Sequence, residues 1–324
     1  MDMVMSLLEK LNQRLSLATQ NSRPEELYNP ISYTLSMGGK RIRPMLVLMG
    51  CDIFGGDVDK AIDLAMGVEI FHNFTLLHDD IMDGAPVRRG KETVYKKWNS
   101  NIAILSGDTM FAIAYEYISH ADPGVLPELL RTFTQTARQV CEGQQYDMNF
   151  ETVSNVSIRE YLEMIMLKTG VLIAASMKIG AIAAGAGITE QENIYSFGEN
   201  LGIAFQLQDD LLDTFGETEK FGKEIGGDII ANKKTFLYVK SMEVANEEQQ
   251  RALLDLYSKH PSDSTGKIRE VREIFSSLNI EEITKKEISY FYSNALYFLD
   301  LLDVKEEKKT ALRKMASELL DRDF

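Results

Sequence analysis

Apolar residues recur every three or four positions along nearly the whole 324-residue chain, and no stretch alternates as a strand would. One stripe runs Ile102, Leu105, Thr109, Phe111 and Tyr115. That period is the signature of amphipathic helices, so the chain is expected to be all-α. Turn formers interrupt the pattern at Asn29-Pro30, Gly38-Gly39, Arg43-Pro44, Gly55-Gly56, Gly84 to Gly90, Asp122 to Gly124, Gly185 to Gly187, Phe215 to Asn232 and His260 to Gly266. The breaks separate roughly ten or more helices. No linker and no 20 to 50 residue repeat divides them, which predicts a single domain over 1–324. The longest irregular stretch, residues 215–232, ends at Lys233-Lys234, and loops of that length usually serve function.

With 44% hydrophobic and 26% charged residues, the composition excludes disordered and collagen-like classes. Lys and Arg total 35 against 49 Asp and Glu, a net charge of −14. Such a chain repels a phosphate backbone globally, which argues against nucleic acid as a partner. Any anionic ligand must then be held by local basic clusters or metal ions. Two cysteines, Cys51 and Cys141, are too few for a disulfide framework and lack metal-type spacing. Residues 1–17 carry Asp2, Glu9, Lys10 and Arg14 at helical spacing, unlike a signal peptide. Val171 to Ile188 is broken by Lys178, unlike a membrane span. A cytoplasmic location is expected.

Asp79, Asp80 and Asp83 close an apolar helical run in FHNFTLLHDDIMDGAPVRRG. Asp79 and Asp83 fall about 40° apart on a helix, with Asp80 near both. Acidic pairs at this spacing usually decorate a solvated face. Here Phe71, Phe74, Leu76, Leu77, Ile81 and Met82 make the helix apolar on most sides, so the carboxylates are expected to point into a cavity. Grouped carboxylates raise one another's pKa unless cations hold them ionised, and an oxygen-only donor set suits Mg2+. The pattern returns in IAFQLQDDLLD as Asp209, Asp210 and Asp213. Two such combs could hold a Mg2+ cluster bridged by a di- or triphosphate.

Basic residues match that chemistry. Gly38-Gly39-Lys40-Arg41-Ile42-Arg43-Pro44 sets three cations at a Gly-flanked helix start, where free N–H groups favour anions. Arg88 and Arg89 follow the first comb. The planar Arg fork can donate two hydrogen bonds to one phosphate.

In this order, GGKRIRP, HDDIMD with RRG, Lys168-Thr169-Gly170, FQLQDDLLD and the later FGK and KKT resemble the trans-isoprenyl diphosphate synthases from about Met37 to Thr235. The resemblance implies an all-α fold around a deep central cavity, a homodimer, and a cluster of about three Mg2+ ions that Mn2+ can replace. It implies Asp79, Asp83 and Asp209 as main Mg2+ ligands, supported by Asp80, Asp210 and Asp213. Lys40, Arg43, His72 and Arg89 would hold the diphosphate of isopentenyl diphosphate. Arg88, Lys168, Thr169, Gln206, Lys223 and Lys233 would hold that of the allylic substrate. On spacing alone His72 reads more readily as a hydrogen-bonded core histidine than as a ligand, and Thr169 and Gln206 as ordinary polar residues. The family often has Gly before the last Lys, whereas Asn232 stands here; Asn tolerates a left-handed backbone.

The chemistry implied is Mg2+-assisted departure of the allylic diphosphate, with Lys168 and Lys223 stabilising the leaving group. The double bond of isopentenyl diphosphate attacks the resulting cation, and the released pyrophosphate can take the proton. No nucleophilic side chain is required, consistent with the lack of a Ser-His-Asp or Cys-His arrangement. Phe71, Phe74 and Thr75, eight, five and four residues before Asp79, are the family's length gauge, although helical spacing alone favours core packing. Phe at the fifth position, with no insertion in DDIMD, is similar to enzymes making the C20 geranylgeranyl chain; C15 farnesyl is the alternative. A class I terpene cyclase would normally replace the second acidic motif with an Asn/Ser/Glu motif. A squalene-type synthase would lack GGKRIRP and RRG, and a non-catalytic regulatory subunit would typically lose aspartates that this chain keeps.

Overall fold

Side-chain caps fix several helix starts. Asn99 accepts from the Ile102 amide at 2.9 Å, and Ser157 with Glu160 and Asn246 with Gln249 form capping boxes. Each satisfies amides that the first helical turn leaves without partners. The computed structural model describes residues 2–19, 22–153, 155–216, 226–259 and 264–320, with side chains from residue 7. The helices in order are α1 (Asp2–Leu17), α2 (Glu25–Ser36), α3 (Ile42–Ile53), α4 (Ile62–Met82), α5 (Val94–Lys97), α6 (Ser100–Ser119), α7 (Leu126–Thr152) and α8 (Ile158–Ile165). A π-turn (Met166–Gly170) follows, then α9 (Val171–Ala183), α10 (Ile188–Phe215), α11 (Gly227–Ile230), α12 (Phe236–Val244), α13 (Glu247–Tyr257), α14 (Thr265–Ser277), α15 (Ile280–Asp300) and α16 (Glu306–Leu320).

The all-α expectation holds, with local corrections. Pro30 does not break the chain but lies inside α2. A proline there withholds one helical N–H; the nearby Leu27 carbonyl gains the Ser106 hydroxyl at 3.0 Å. A short hairpin, β1 (Val87–Arg88) with β2 (Lys91–Glu92), interrupts the helices. The irregular stretch 215–232 contains the single turn of α11. Residues 158–183, rather than 171–188, form the helical stretch apolar and long enough to cross a membrane, and 78% of that window is buried within the protein.

The chain divides into two compact units. The first comprises Met1–Phe133 and Ser176–Gln191, and the second Thr134–Ala175 and Glu192–Phe324. In the first, α4 packs along α6 and α3, burying Leu46, Leu48, Ile62, Met66 and Phe71. In the second, Tyr161, Ile165, Leu207, Phe236, Val271 and Phe275 share one core.

Candidate active site

In the first unit the acidic motif ends α4, with Asp83 as its C-cap. Its carboxylates do not behave alike. Asp80 is 5% exposed and accepts from Arg88 Nε at 2.7 Å. Arg88 Nη2 also lies 3.7 Å from Asp79 Oδ2. Burial raises the Asp80 carboxyl to about 6 against the opposing pull of Arg88. Asp79 is partly exposed and Asp83 exposed to solvent.

Arg88 owes its position to the hairpin. Arg88 pairs with Lys91 across a two-residue turn whose residues, Arg89 and Gly90, have φ of 53° and 73°. Positive φ at both central residues matches the type I′ hairpin turn, where Arg is strained and Gly is not. Arg89 Nη1 donates to the Gly38 carbonyl. A Cβ at Gly39 would lie 2.8 Å from that guanidinium. The Gly38-Gly39 pair thus admits an arginine against the backbone just before α3.

Of the three cations of the GGKRIRP segment, Lys40 is exposed, and the two arginines separate by role. Arg41, 6% exposed, pairs with Glu69 and donates to the Leu35 carbonyl at 2.7 Å and Asn12 Oδ1 at 3.2 Å. Asn73 donates to Glu69 Oε1 at 2.9 Å and closes this structural network. Arg43 Nη1 instead lies 3.2 Å from His72 Nε2. An arginine can only donate, so Nε2 accepts and the His72 proton sits on Nδ1. Burial first, then Arg43, Arg89, Arg88 and Arg41, hold His72 well below the usual histidine range. His72 is therefore a neutral member of a cationic cluster.

Upstream in α4, Phe71 is fully buried and packs on Phe74, Phe111 and Phe133, with ring centroids 5.5, 6.0 and 5.3 Å away. Partly buried Phe74 meets Phe111 edge-on at 5.3 Å. The Thr75 hydroxyl is turned back to the His72 carbonyl at 2.8 Å. Of the three gauge residues, Phe71 is core, Phe74 borders an aromatic wall shared with α6, and Thr75 bonds back to the preceding turn of its own helix.

In the second unit, a cavity is lined by Lys168, Thr169, Gln206, Asp210 and Lys233. Lys168 and Thr169 lie on the π-turn, a register change often found at functional sites. It fits because Gly143 has no side chain: a Cβ there would come within 2.3 Å of the Lys168 amide nitrogen. Lys168 Nζ donates to Asp147 Oδ2 at 2.6 Å. The Thr169 hydroxyl donates to Gln206 Oε1 at 3.0 Å, and Gln206 Nε2 donates to Asp210 Oδ1 at 3.1 Å. Tyr161 and the Phe236 amide donate to Asp210 Oδ2. Burial, reinforced by Asp228, nevertheless raises the Asp210 carboxyl.

Asp213 Oδ2 accepts from the Asp228 amide at 2.9 Å, while its carbonyl accepts from the Gly226 amide at 2.7 Å. Asn232 takes φ of 58°, the left-handed geometry expected of it. Lys234 is spent on the carbonyls of Phe150 and Val153. Lys223 lies outside the described residues.

Within each motif the second aspartate is locked into the protein, whereas Asp79, Asp83, Asp209 and Asp213 retain solvent access. Among the described residues no three His, Cys, Asp or Glu side chains converge as a closed metal cage. The accessible carboxylate oxygens are a donor type that suits Mg2+, which binds few carboxylates and keeps water and phosphate oxygens. Asp147, Tyr161 and Asp228 also line the cavity but were not anticipated as site residues. An isolated glycine in a helical run, Gly143, was the available signal for close packing there.

The polyprenyl synthetase family profile matches residues 24–275. A short chain isoprenyl diphosphate synthase of Methanothermobacter thermautotrophicus is 34% identical over all of this chain and 98% of its own length. A geranylgeranyl diphosphate synthase of Methanosarcina mazei is 34% identical over 99% of this chain and all of its own. The crystal structure of a geranylgeranyl pyrophosphate synthase superposes with a TM-score of 0.94 at 43% identity, covering 99% of both chains. One from Pyrococcus horikoshii gives 0.92 at 33% identity, again over 99% of both. The motifs, the helical fold and these likenesses agree: the chain belongs to the polyprenyl synthetase family of prenyltransferases.

Proposed function

We propose that the chain condenses isopentenyl diphosphate head-to-tail with an allylic diphosphate and releases all-trans geranylgeranyl diphosphate. The carrying observation is the second-unit cavity, where Lys168, Thr169, Gln206 and Lys233 meet Asp210, one residue from Asp209. It combines hydrogen-bond donors for a diphosphate with the carboxylate motif that would bind its metal. Family membership supplies the reaction class, and relatives named for geranylgeranyl diphosphate support the C20 length.

In this reading Asp79, Asp83, Asp209 and Asp213 hold Mg2+. When bound there, the metal would supply positive charge to offset that of the departing pyrophosphate. Asp80 and Asp210 position rather than ligate: Asp80 aims Arg88, and Asp210 orders Gln206 and Tyr161 at the cavity wall. Lys168 donates to the allylic diphosphate from a place set by Asp147, and Thr169, Gln206, Lys223, Lys233 and Arg88 complete that set. Donors fixed before the C–O bond breaks need little reorganisation, and losing one typically costs about 100-fold or more in kcat. Lys40, Arg43, Arg89 and neutral His72 hold isopentenyl diphosphate. The allylic cation is attacked by the isopentenyl double bond, and released pyrophosphate takes the proton. On this reading the chain is a single catalytic domain, in a cytoplasmic homodimer.

The test is to incubate the purified chain with Mg2+, isopentenyl diphosphate and, separately, dimethylallyl, geranyl or farnesyl diphosphate, then size the products. A dominant C20 product is expected, and Phe74→Ala should shift it to longer chains. Predominant C15 or much longer products would overturn the length assignment only. EDTA-sensitive diphosphate release without elongation would favour a cyclase.

A further inference from the structure

We infer that Lys267 and Asn232 form a clamp that sets the position of Lys233 and so tunes affinity for the allylic diphosphate; the ligand assignment rests on the function proposed above. Lys267, on α14, is only 5% exposed. An ammonium taken out of water is costly unless its donors are used. Lys267 Nζ donates to Asn232 Oδ1 and, at 3.1 Å, to the Lys259 carbonyl. It also lies 5.5 Å from the centroid of the Tyr257 ring. Asn232 Nδ2 donates to the same Lys259 carbonyl at 3.3 Å, closing the triangle.

The clamped residue is one whose backbone controls its neighbour. Asn232 has φ of 58°, and the chain then turns so that the Lys233 amide donates to the Asp228 carbonyl at 2.9 Å. Lys233 enters the cavity beside Lys168 and Thr169. Helix α14 also holds the other end of this segment: Ile268 packs so tightly on Gly226 that a Cβ there would lie 3.0 Å from it. Residues 226–232 are thus fastened to α14 at both ends. Asp213 reaches the middle through its bond from the Asp228 amide. The buried lysine fixes the hinge from which a ligand-binding lysine projects. Lys267 and Asn232 touch no reacting atom; they are positioning residues.

The conformation and the clamp can be separated by mutation. Asn232→Gly keeps the left-handed backbone accessible but deletes the side-chain bonds to Lys267 and Lys259. Asn232→Asp keeps that backbone and the acceptor for Lys267. Lys267→Met removes the ammonium while retaining much of the side chain. The readouts are KM for each diphosphate substrate and kcat, together with calorimetric Kd for inorganic pyrophosphate in Mg2+. Asn232→Gly and Lys267→Met should each raise the allylic KM and pyrophosphate Kd about tenfold, the scale of one lost charge-assisted hydrogen bond. KM for isopentenyl diphosphate should stay within about twofold, because the other diphosphate has its own donors. Asn232→Asp should stay near wild type, and the double variant should be no worse than the worse single one. Unchanged pyrophosphate Kd in Asn232→Gly, equal rises in both KM values, or additive losses in the double variant would overturn the clamp. If wild type elongates no primer, the reaction assignment fails, while the pyrophosphate titration still decides the clamp.

Discussion

At the scale of single residues, the cationic cluster separates by what each donor already holds. Arg41 is consumed by Glu69 and a carbonyl inside the fold, whereas Arg43 faces a histidine that must accept. His72 stays neutral in the folded protein, but in the unfolded chain it protonates below its ordinary value of 6.5. Unfolding therefore takes up a proton as pH falls through 6.5, and folded stability falls with it until the native His72 itself titrates. Asp80 contributes the opposite sign, because its carboxyl is raised to about 6 and gains its proton earlier in the folded state. A His72→Gln variant isolates the first effect: the amide oxygen can still accept from Arg43 but cannot be protonated. One pH unit of such linkage is worth about 1.4 kcal/mol, or roughly 2 °C for a protein this large. The fall in melting temperature between pH 7.5 and 5.5 should be that much smaller in the variant; an equal fall would refute a neutral native His72.

At the scale of elements, helix type and much of the motif placement were legible, because period 3.6 and paired aspartates are local properties of the chain. What was not legible depends on partners distant in sequence. Pro30 looked like a break, yet α2 continues through it in tertiary packing. The hairpin around Arg89 is too short to show alternation. That Asp80 and Asp210 are drawn into the fold was not legible either, because Asp80 meets Arg88 and Asp210 meets Tyr161, contacts that no spacing rule contains. The π-turn was also invisible, although its glycine partner was not. A similar glycine contact joins α3 and α9: a Cβ on Gly180 would lie 2.1 Å from the Val47 carbonyl, and one on Gly50 2.4 Å from that of Met177. Backbone cannot yield as a flexible side chain can, so Gly180→Ala should cost about 2 to 3 kcal/mol and lower the melting temperature by roughly 3 to 4 °C. Gly185→Asn is the control, since its positive φ of 76° suits Asn and open space surrounds it. Equal melting temperatures for wild type and Gly180→Ala would show that the helices do not cross so closely.

For the whole molecule, the decisive relation is between a net charge of −14 and two dianionic or more highly charged substrates. Acidic surfaces repel diphosphates at long range, so binding depends on short-range cations and metal. On the proposed function, metal binding should in turn be weak without diphosphate, because Asp80 and Asp210 are engaged in the fold and few carboxylates keep solvent access. Metal and diphosphate should therefore stabilise the protein cooperatively, each completing the other's coordination, a coupling that is reciprocal by linkage. EDTA should leave the unliganded melting temperature nearly unchanged while abolishing condensation. Mg2+ alone and pyrophosphate alone should each raise it little, and together they should raise it by several degrees, as a ligand near 100 times its Kd contributes about 2.7 kcal/mol. Melting curves under the four conditions decide the matter: a full rise with Mg2+ alone would mean a preformed metal site, contrary to the separation of roles within each aspartate motif.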